Sequence, residues 1–308
     1  MKYTPRLPVS EVNVTPRSVL KEFVLLAGAL TGIVVGVYLV LGLAVDLIVP
    51  RLSVDFEKKL AGAFFSALES KPGRTEHERW VQTLTDRLQT SCAGLPYHLK
   101  IHVQESPAVN ALALPGGHVV VFSGLLNTVT SENELVFILA HEMGHFKHRD
   151  HLRGAGRALV LMTISAALFG PNSDISAALG YLLNITELSF SRGQETAADE
   201  FGLDVLQCAY GHAAGATDFF RKIPTSQDPG RFGHYFASHP ENQRRISHLE
   251  ALIGQKGYET GEKKPVLLEG RSPGGRADQA PVALEQGPYH DFHPTHSARR
   301  RWRTQPSR

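Results

Sequence analysis

The chain has 308 residues, enough for one sizeable domain or two small ones, with 42% apolar residues and a formal net charge of only +2. That balance gives no electrostatic footprint for nucleic acid or for an acidic partner. Two cysteines without a Cys-x-x-Cys pair exclude a cysteine-held zinc site by spacing.

Residues 1–22 are polar and carry Pro5, Pro8 and Pro16, which predicts an extended N-terminal segment. Residues 23–44 follow without a charge. As a helix this run is about 33 Å long, enough to cross a bilayer core. Gly28, Gly32 and Gly36 recur every four residues, a small-residue packing pattern of membrane helices. Gly42-Leu43-Ala44 offers a weak cleavage site, but the polar leader is long for a signal peptide, so residues 23–49 are read as one uncleaved transmembrane anchor. Lys2, Arg6, Arg17 and Lys21 precede the span, against Arg51, Lys58 and Lys59 after it. The slight bias places the main domain, residues 51–254, outside the cytoplasm.

Residues 54–70 repeat Phe56, Leu60 and Phe64 at helical spacing, and residues 75–90 repeat Trp80, Leu84 and Leu88. Both read as core-facing helices separated by Lys71-Pro72-Gly73. Residues 97–103 alternate as a half-buried strand with His98, Lys100 and His102 on the polar face. Residues 118–122, rich in valine, read as a central strand. Between them, Asn110, Ala111, Leu112 and Ala113 precede a Pro115-Gly116-Gly117 turn. An edge strand there could hold an extended peptide by main-chain hydrogen bonds.

Ser131 with Glu134 three residues later predicts a capped helix start. The apolar run of residues 135–140 makes that helix a buried one. It ends in His141-Glu142-Met143-Gly144-His145. Histidines four apart present both rings on one face to one metal ion, and Glu142 is placed as a general base for an attacking water. Fifteen histidines make a chance match conceivable, but buried polar side chains need partners, and a metal supplies one.

Residues 158–169 are apolar but too few to span a membrane, so they lie in the core or rest on the bilayer. A second largely apolar helix is expected from about Asp174 to Leu188. Two residues compete for third ligand. His151 lies ten residues after His141, a spacing that needs a glycine turn where this chain has His148. Glu195 starts Glu195-Thr196-Ala197-Ala198-Asp199, where the alanines would let a second helix approach closely and Asp199 would accept the outer N–H of a ligand histidine. Cys92 and Cys208 either pair in an oxidising compartment or remain two buried thiols. Residues 255–308, rich in glycine, proline and charge, read as a mobile basic tail.

The His141–His145 pair with Glu195 and Asp199 resembles the membrane-associated zinc metallopeptidases of the HtpX, BepA and CAAX prenyl endopeptidase group. Residues 110–117, Ser123-Gly124-Leu125-Leu126, and His239-Pro240 followed by Arg245-Ile246 resemble further segments of that group. The resemblance implies an α+β, predominantly helical gluzincin domain with a small β-sheet, one Zn2+ per chain, and Glu195 as third ligand with Asp199 behind it. It implies an endopeptidase acting on protein or peptide substrates. A single N-terminal span, unlike the flanking spans of HtpX, suggests a single-pass protein of the bacterial inner membrane with a periplasmic domain.

His239 keeps three readings: an oxyanion donor acting with Arg245, a reversible fourth ligand that latches the enzyme, or a helix cap. The expected function is quality control of unfolded or misassembled envelope proteins. A dedicated processing peptidase, or a binding or chaperone module with a latched zinc site, are the alternatives.

Overall fold

A computed structural model of the chain describes residues 18–69, 75–170, 173, 190–224, 230–240 and 242–266. The expected second apolar helix near residues 174–188 and the tail beyond residue 266 lie outside the described residues, as does most of the N-terminal segment.

Helix α1, Val19–Ile48, is capped by the Ser18 hydroxyl, which accepts from Lys21 N–H. It has no buried residue, and side chains such as Leu26 are 70% exposed. A short 3-10 turn at Val49–Arg51 leads to α2, Val54–Glu69. The sequence assigns Phe56 to the buried face of α2, but Phe56 is 50% exposed while Glu57 and Ala61 are buried. Glu57 stays inside because three partners receive it. Its Oε1 accepts from Gly116 N–H at 2.9 Å and lies 2.9 Å from His151 Nε2, and Oε2 accepts from Tyr97 Oη at 2.7 Å. These bonds outweigh the desolvation that would raise its pKa and hold it below the usual carboxylate value.

Helix α3, Glu76–Leu88, buries Val81, Leu84 and Leu88 and ends in a π-helical turn, Gln89–Ala93. A disulfide joins Cys92 in that turn to Cys208. Three strands follow: β1 (Lys100–Gln104), β2 (Ala111–Leu114) and β3 (His118–Phe122). β3 is central, parallel to β1 and antiparallel to β2. Its valines pack into the core, as their β-branched character favours. His102 is not simply solvated: its Nε2 lies 2.9 Å from His118 Nδ1 across the β1–β3 pair. Helix α4, Ser123–Thr128, carries the chain to α5, Glu132–His148, which is buried over nearly its whole length. The Ser131 cap is formed as expected, its hydroxyl accepting from Glu134 N–H at 3.2 Å.

Arg149 ends α5 with a left-handed φ of 58° and redirects the chain into α6, Asp150–Phe169. Helix α7, Arg192–Tyr210, starts with a full capping box between Ser191 and Gln194. It packs against α5 at very short range. A Cβ on Gly144 would stand 2.8 Å from Ala198 Cα, and one on Gly202 would stand 3.2 Å from His141 N. Helices α8 (Asp218–Arg221), α9 (Gly233–Ser238) and α10 (Asn242–Lys256) complete the domain. Residues 257–266 then run back over it, with Glu132 N–H donating to Lys264 O and Lys264 N–H to Asn133 Oδ1, both at 2.8 Å. The packed region thus extends past Gly254, because this stretch satisfies the open N-terminus of α5.

Candidate metal centre

The close approach of α5 and α7 brings His141, His145 and Glu195 together, and the turn after α9 adds His239. One donor atom from each of the four lies within 4.8 Å of the others, and all four residues are buried. His141 Nε2 and His145 Nε2 are 3.1 Å apart. Glu195 Oε1 is 3.5 Å from His145 Nε2, and Oε2 is 3.8 Å from His141 Nε2. With metal–nitrogen bonds of about 2.0–2.1 Å, two donors of a tetrahedral zinc site stand about 3.3 Å apart, so these separations fit that ion. Nitrogen donors with one carboxylate are also the donor set that zinc favours.

The outer nitrogens of both rings are held. His141 Nδ1 lies 2.9 Å from Asp199 Oδ1, and His145 Nδ1 lies 3.1 Å from Asp150 Oδ2. Both contacts leave the Nε2 atoms free to face the centre. Asp150 is itself fixed by Gln194 Nε2 at 2.8 Å and Arg153 Nη1 at 3.1 Å. Sequence reasoning missed Asp150. The available signal was an acidic residue at the break after the helix, five positions beyond His145.

Arg245 is buried behind the carboxylates. It donates from Nε to Asp199 Oδ2 at 2.8 Å and from Nη2 to Asp199 Oδ1 at 2.6 Å. Its Nη1 donates to Tyr235 Oη at 3.1 Å and stands 2.6 Å from Glu195 Oε2. That last pair is an ion contact at poor hydrogen-bond angle, and Glu195 Oε2 accepts no hydrogen bond. The guanidinium thus faces Asp199, Glu195 and Tyr235, and its Nη2 lies 3.2 Å from His141 Nδ1. Glu142 Oε2 is a second buried oxygen without a hydrogen-bond partner. An unpartnered Glu142 oxygen at a buried centre beside the Glu195 carboxylate matches a site made for a cation and a polar ligand.

The charges follow from this packing. Burial, and then the Arg245 cation, depress the pKa of His141 to about 3, so its ring is neutral as a ligand must be. Burial also opposes charge on His145, but Asp150 and Glu195 outweigh it and raise its pKa to about 9, so a metal binding there would displace its proton. Glu195 is driven far down: His239 and Arg245 overcome its desolvation. Burial pushes the Glu142 carboxyl up, the direction a proton-accepting base needs.

His239 takes a place beside these three side chains. Its Nδ1 lies 2.9 Å from Glu195 Oε1 and 3.3 Å from His141 Nε2, and its Nε2 lies 3.6 Å from Glu142 Oε1. His239 stands between α9 and α10, near the start of the last helix as the sequence places it. Phe190 stacks on the His145 ring with centroids 3.7 Å apart, and its N–H donates to Ser238 O at 3.1 Å. Neither Phe190 nor Tyr235 carried a sequence signal. The competing candidate His151 points away from the centre into the Glu57 network. β2, with Ala111, Leu112 and Ala113, lies against α5. Asn110, just before it, is buried, and its Oδ1 accepts from Ala111 N–H at 3.0 Å. Among the described residues no strand pairs with the outer edge of β2.

The pattern of Peptidase family M48 matches residues 75–253. The chain is 31% identical to the mitochondrial metalloendopeptidase OMA1 of Danio rerio over 60% of its own length and 41% of that protein. It is 27% identical to the metalloprotease LoiP of Escherichia coli over 60% of its own length and 74% of that protein. With the beta-barrel assembly-enhancing protease of Yersinia pestis it shares 25% identity over 58% of its own length and 39% of that protein. The chain therefore covers less than two thirds of two of these three relatives.

Proposed function

The chain belongs to peptidase family M48, and from that premise we propose that it is a zinc-dependent endopeptidase anchored in a membrane by α1. His141, His145 and Glu195 are the protein ligands, with Asp199 and Asp150 orienting the two rings. The observation that carries this reading is the buried convergence of four donor atoms within 4.8 Å, beside the unpartnered oxygen of Glu142. When bound, zinc supplies Lewis acidity at the scissile carbonyl and lowers the pKa of a bound water.

The remaining work falls to the chain. Glu142 accepts the proton of the attacking water and returns it to the leaving amine, a task that its raised pKa suits. Arg245 positions Glu195 and Asp199 and balances their charge. The open edge of β2, reached from Asn110 through Ala113, binds the substrate backbone as an added strand.

The position of His239 favours the latch among its three readings, because its Nδ1 already stands at ligand distance from His141 and Glu195. The substrates are unfolded or misassembled envelope proteins, and the domain faces the periplasm from a bacterial inner membrane. Two bacterial relatives named as proteases support that assignment. So does the Cys92–Cys208 disulfide, which fits an oxidising compartment.

The test is cleavage of unfolded casein by the zinc-loaded full chain in detergent, beside Glu142→Gln and a chelated sample. Glu142→Gln is expected to keep its zinc and lose about 1,000-fold or more in turnover; retained activity would remove Glu142 from the base role. If the wild type is inert while zinc is bound, His239→Ala separates a latched enzyme, which would gain activity, from a zinc-bound binding module, which would not.

A further inference from the structure

We propose that α6 enters the same bilayer as α1 to about half its depth, so that two helices of unequal length hold the protein in the membrane. This rests on reading α1 as a membrane helix.

The two helices are already packed together. A Cβ on Gly156 would stand 2.8 Å from Val45 Cγ1, so the glycine lets α6 lie directly on α1. Asp46 is joined to Arg157 at 2.7 Å and to Arg153 at 3.8 Å. The half-covered positions of α1 are Val34, Tyr38, Gly42, Ala44, Val45 and Asp46, most of them on one stripe running back from this contact. α6 packs on α1 more extensively than any other element does, and the proposal lays it back along that stripe, antiparallel to α1.

Charge stops at one level on both helices. Beyond Arg157, residues 158–169 carry no charge, and before Asp46, residues 23–44 carry none. The outer face of α6 nevertheless stays uncovered: Leu159 is 65% exposed and Phe169 51%. α1, on which α6 packs, buries no residue. A protein-docking surface is an apolar core with a polar rim; here the charges lie at one end only, as on an element with one end in water and the other in lipid.

The hydroxyls agree. Thr163, exposed on α6, donates to Leu159 O at 2.8 Å, and Thr31, exposed on α1, donates to Ala27 O at 2.8 Å. Both exposed threonines are thus satisfied within their own helices, as lipid requires.

Depth follows from length. Residues 158–169 rise about 18 Å as a helix, against about 30 Å of hydrocarbon core. Counted from the Gly156 contact, Phe169 comes level with about residue 32 of α1, the middle of its uncharged run. The ion pairs of Asp46 then mark the bilayer surface. From there Arg153 leads through Asp150 to His145, so the metal centre is tied to that surface by consecutive side-chain contacts.

The test uses the full chain in vesicles of phosphatidylcholine and phosphatidylglycerol. Single cysteines at Leu159, Leu168 or Ile33 carry an environment-sensitive fluorophore, since Cys92 and Cys208 are bonded to each other. Quenching is read with lipids spin-labelled near the headgroup or near the chain end, and zinc content confirms that each variant is folded. The expected result is that Leu168→Cys and Ile33→Cys are quenched most by the deep label and Leu159→Cys by the shallow one. Quenching at Ile33 without quenching at Leu168 would overturn the proposal and leave the anchor intact. Access of a water-soluble quencher to Leu168→Cys from the far side would also overturn it, by showing a full span. No quenching at Ile33 would end the anchor reading itself, and this proposal with it.

Discussion

Two helix pairs in this chain use one packing device for opposite ends. α5 meets α7 through Gly144 and Gly202, and α6 meets α1 through Gly156. In the first pair the space gained is filled with charged and imidazole groups, every one turned inward and sealed from water. In the second it leaves apolar side chains turned outward. The difference lies in what surrounds each contact. Gly144 faces the backbone of a helix locked into the core, so neither side can yield. Gly156 faces the tip of a valine on a helix with no buried residue.

That contrast is broken most directly by giving both glycines a side chain. Gly144→Val must displace α7 from α5 and is expected to cost about 3 kcal/mol of stability. It should lose zinc as well, since Glu195 rides on α7. Gly156→Val should cost under about 1 kcal/mol and keep its zinc. Thermal unfolding with a zinc assay in detergent measures both. Equal losses would mean that the two contacts are equally rigid.

A smaller effect is expected from loosening the metal centre without moving a helix. Asp199→Asn keeps the shape but weakens the hold on His141 and on Arg245, and zinc affinity should fall about 10–100-fold. Competition with a fluorescent chelator reads this. An unchanged affinity would place the orientation of His141 with the packing of α5 alone.

How much of this was legible in the sequence depended on range. The His141–His145 pair, the Ser131 cap and the Glu195–Asp199 spacing are short-range patterns, set by helical periodicity and readable in one turn. β3 was readable because a run of valines has few other places to go. Glu57 was not, since the apolar spacing of Phe56, Leu60 and Phe64 favoured a different face. A carboxylate goes inside only where His151, Tyr97 and Gly116 come to meet it from 40 to 94 positions away. α6 escaped for a related reason. Its apolar stretch is too short to suggest membrane, and only its neighbour α1 reveals where it lies.

Glu57 gives the next prediction. Its pKa is depressed in the folded protein, so its contribution is full above the ordinary carboxylate value of 4.5 and is lost as pH falls through the lower folded value. Glu57→Gln should therefore cost about 1–2 kcal/mol at neutral pH. The gap to wild type should close on acidification. Denaturant unfolding at several pH values checks it, and a gap that widened in acid would mean that the folded carboxyl is protonated.

The smallest effect belongs to the far end of the second pair. Asp46 is half exposed, and its bridges to Arg153 and Arg157 reach solvent. Surface pairs of this kind contribute about 0–1 kcal/mol, so Asp46→Asn should barely change unfolding in detergent. What it removes is the level at which both helices stop being apolar. In vesicles, the freed Arg157 would be drawn toward the headgroups, and the depth of a fluorophore at Leu168 should shift while zinc content and casein cleavage stay constant. If cleavage fell as well, the chain of contacts from Asp46 through Arg153 and Asp150 to His145 would carry more than position, and the membrane pair would set the geometry of the metal pair rather than merely hold it in place.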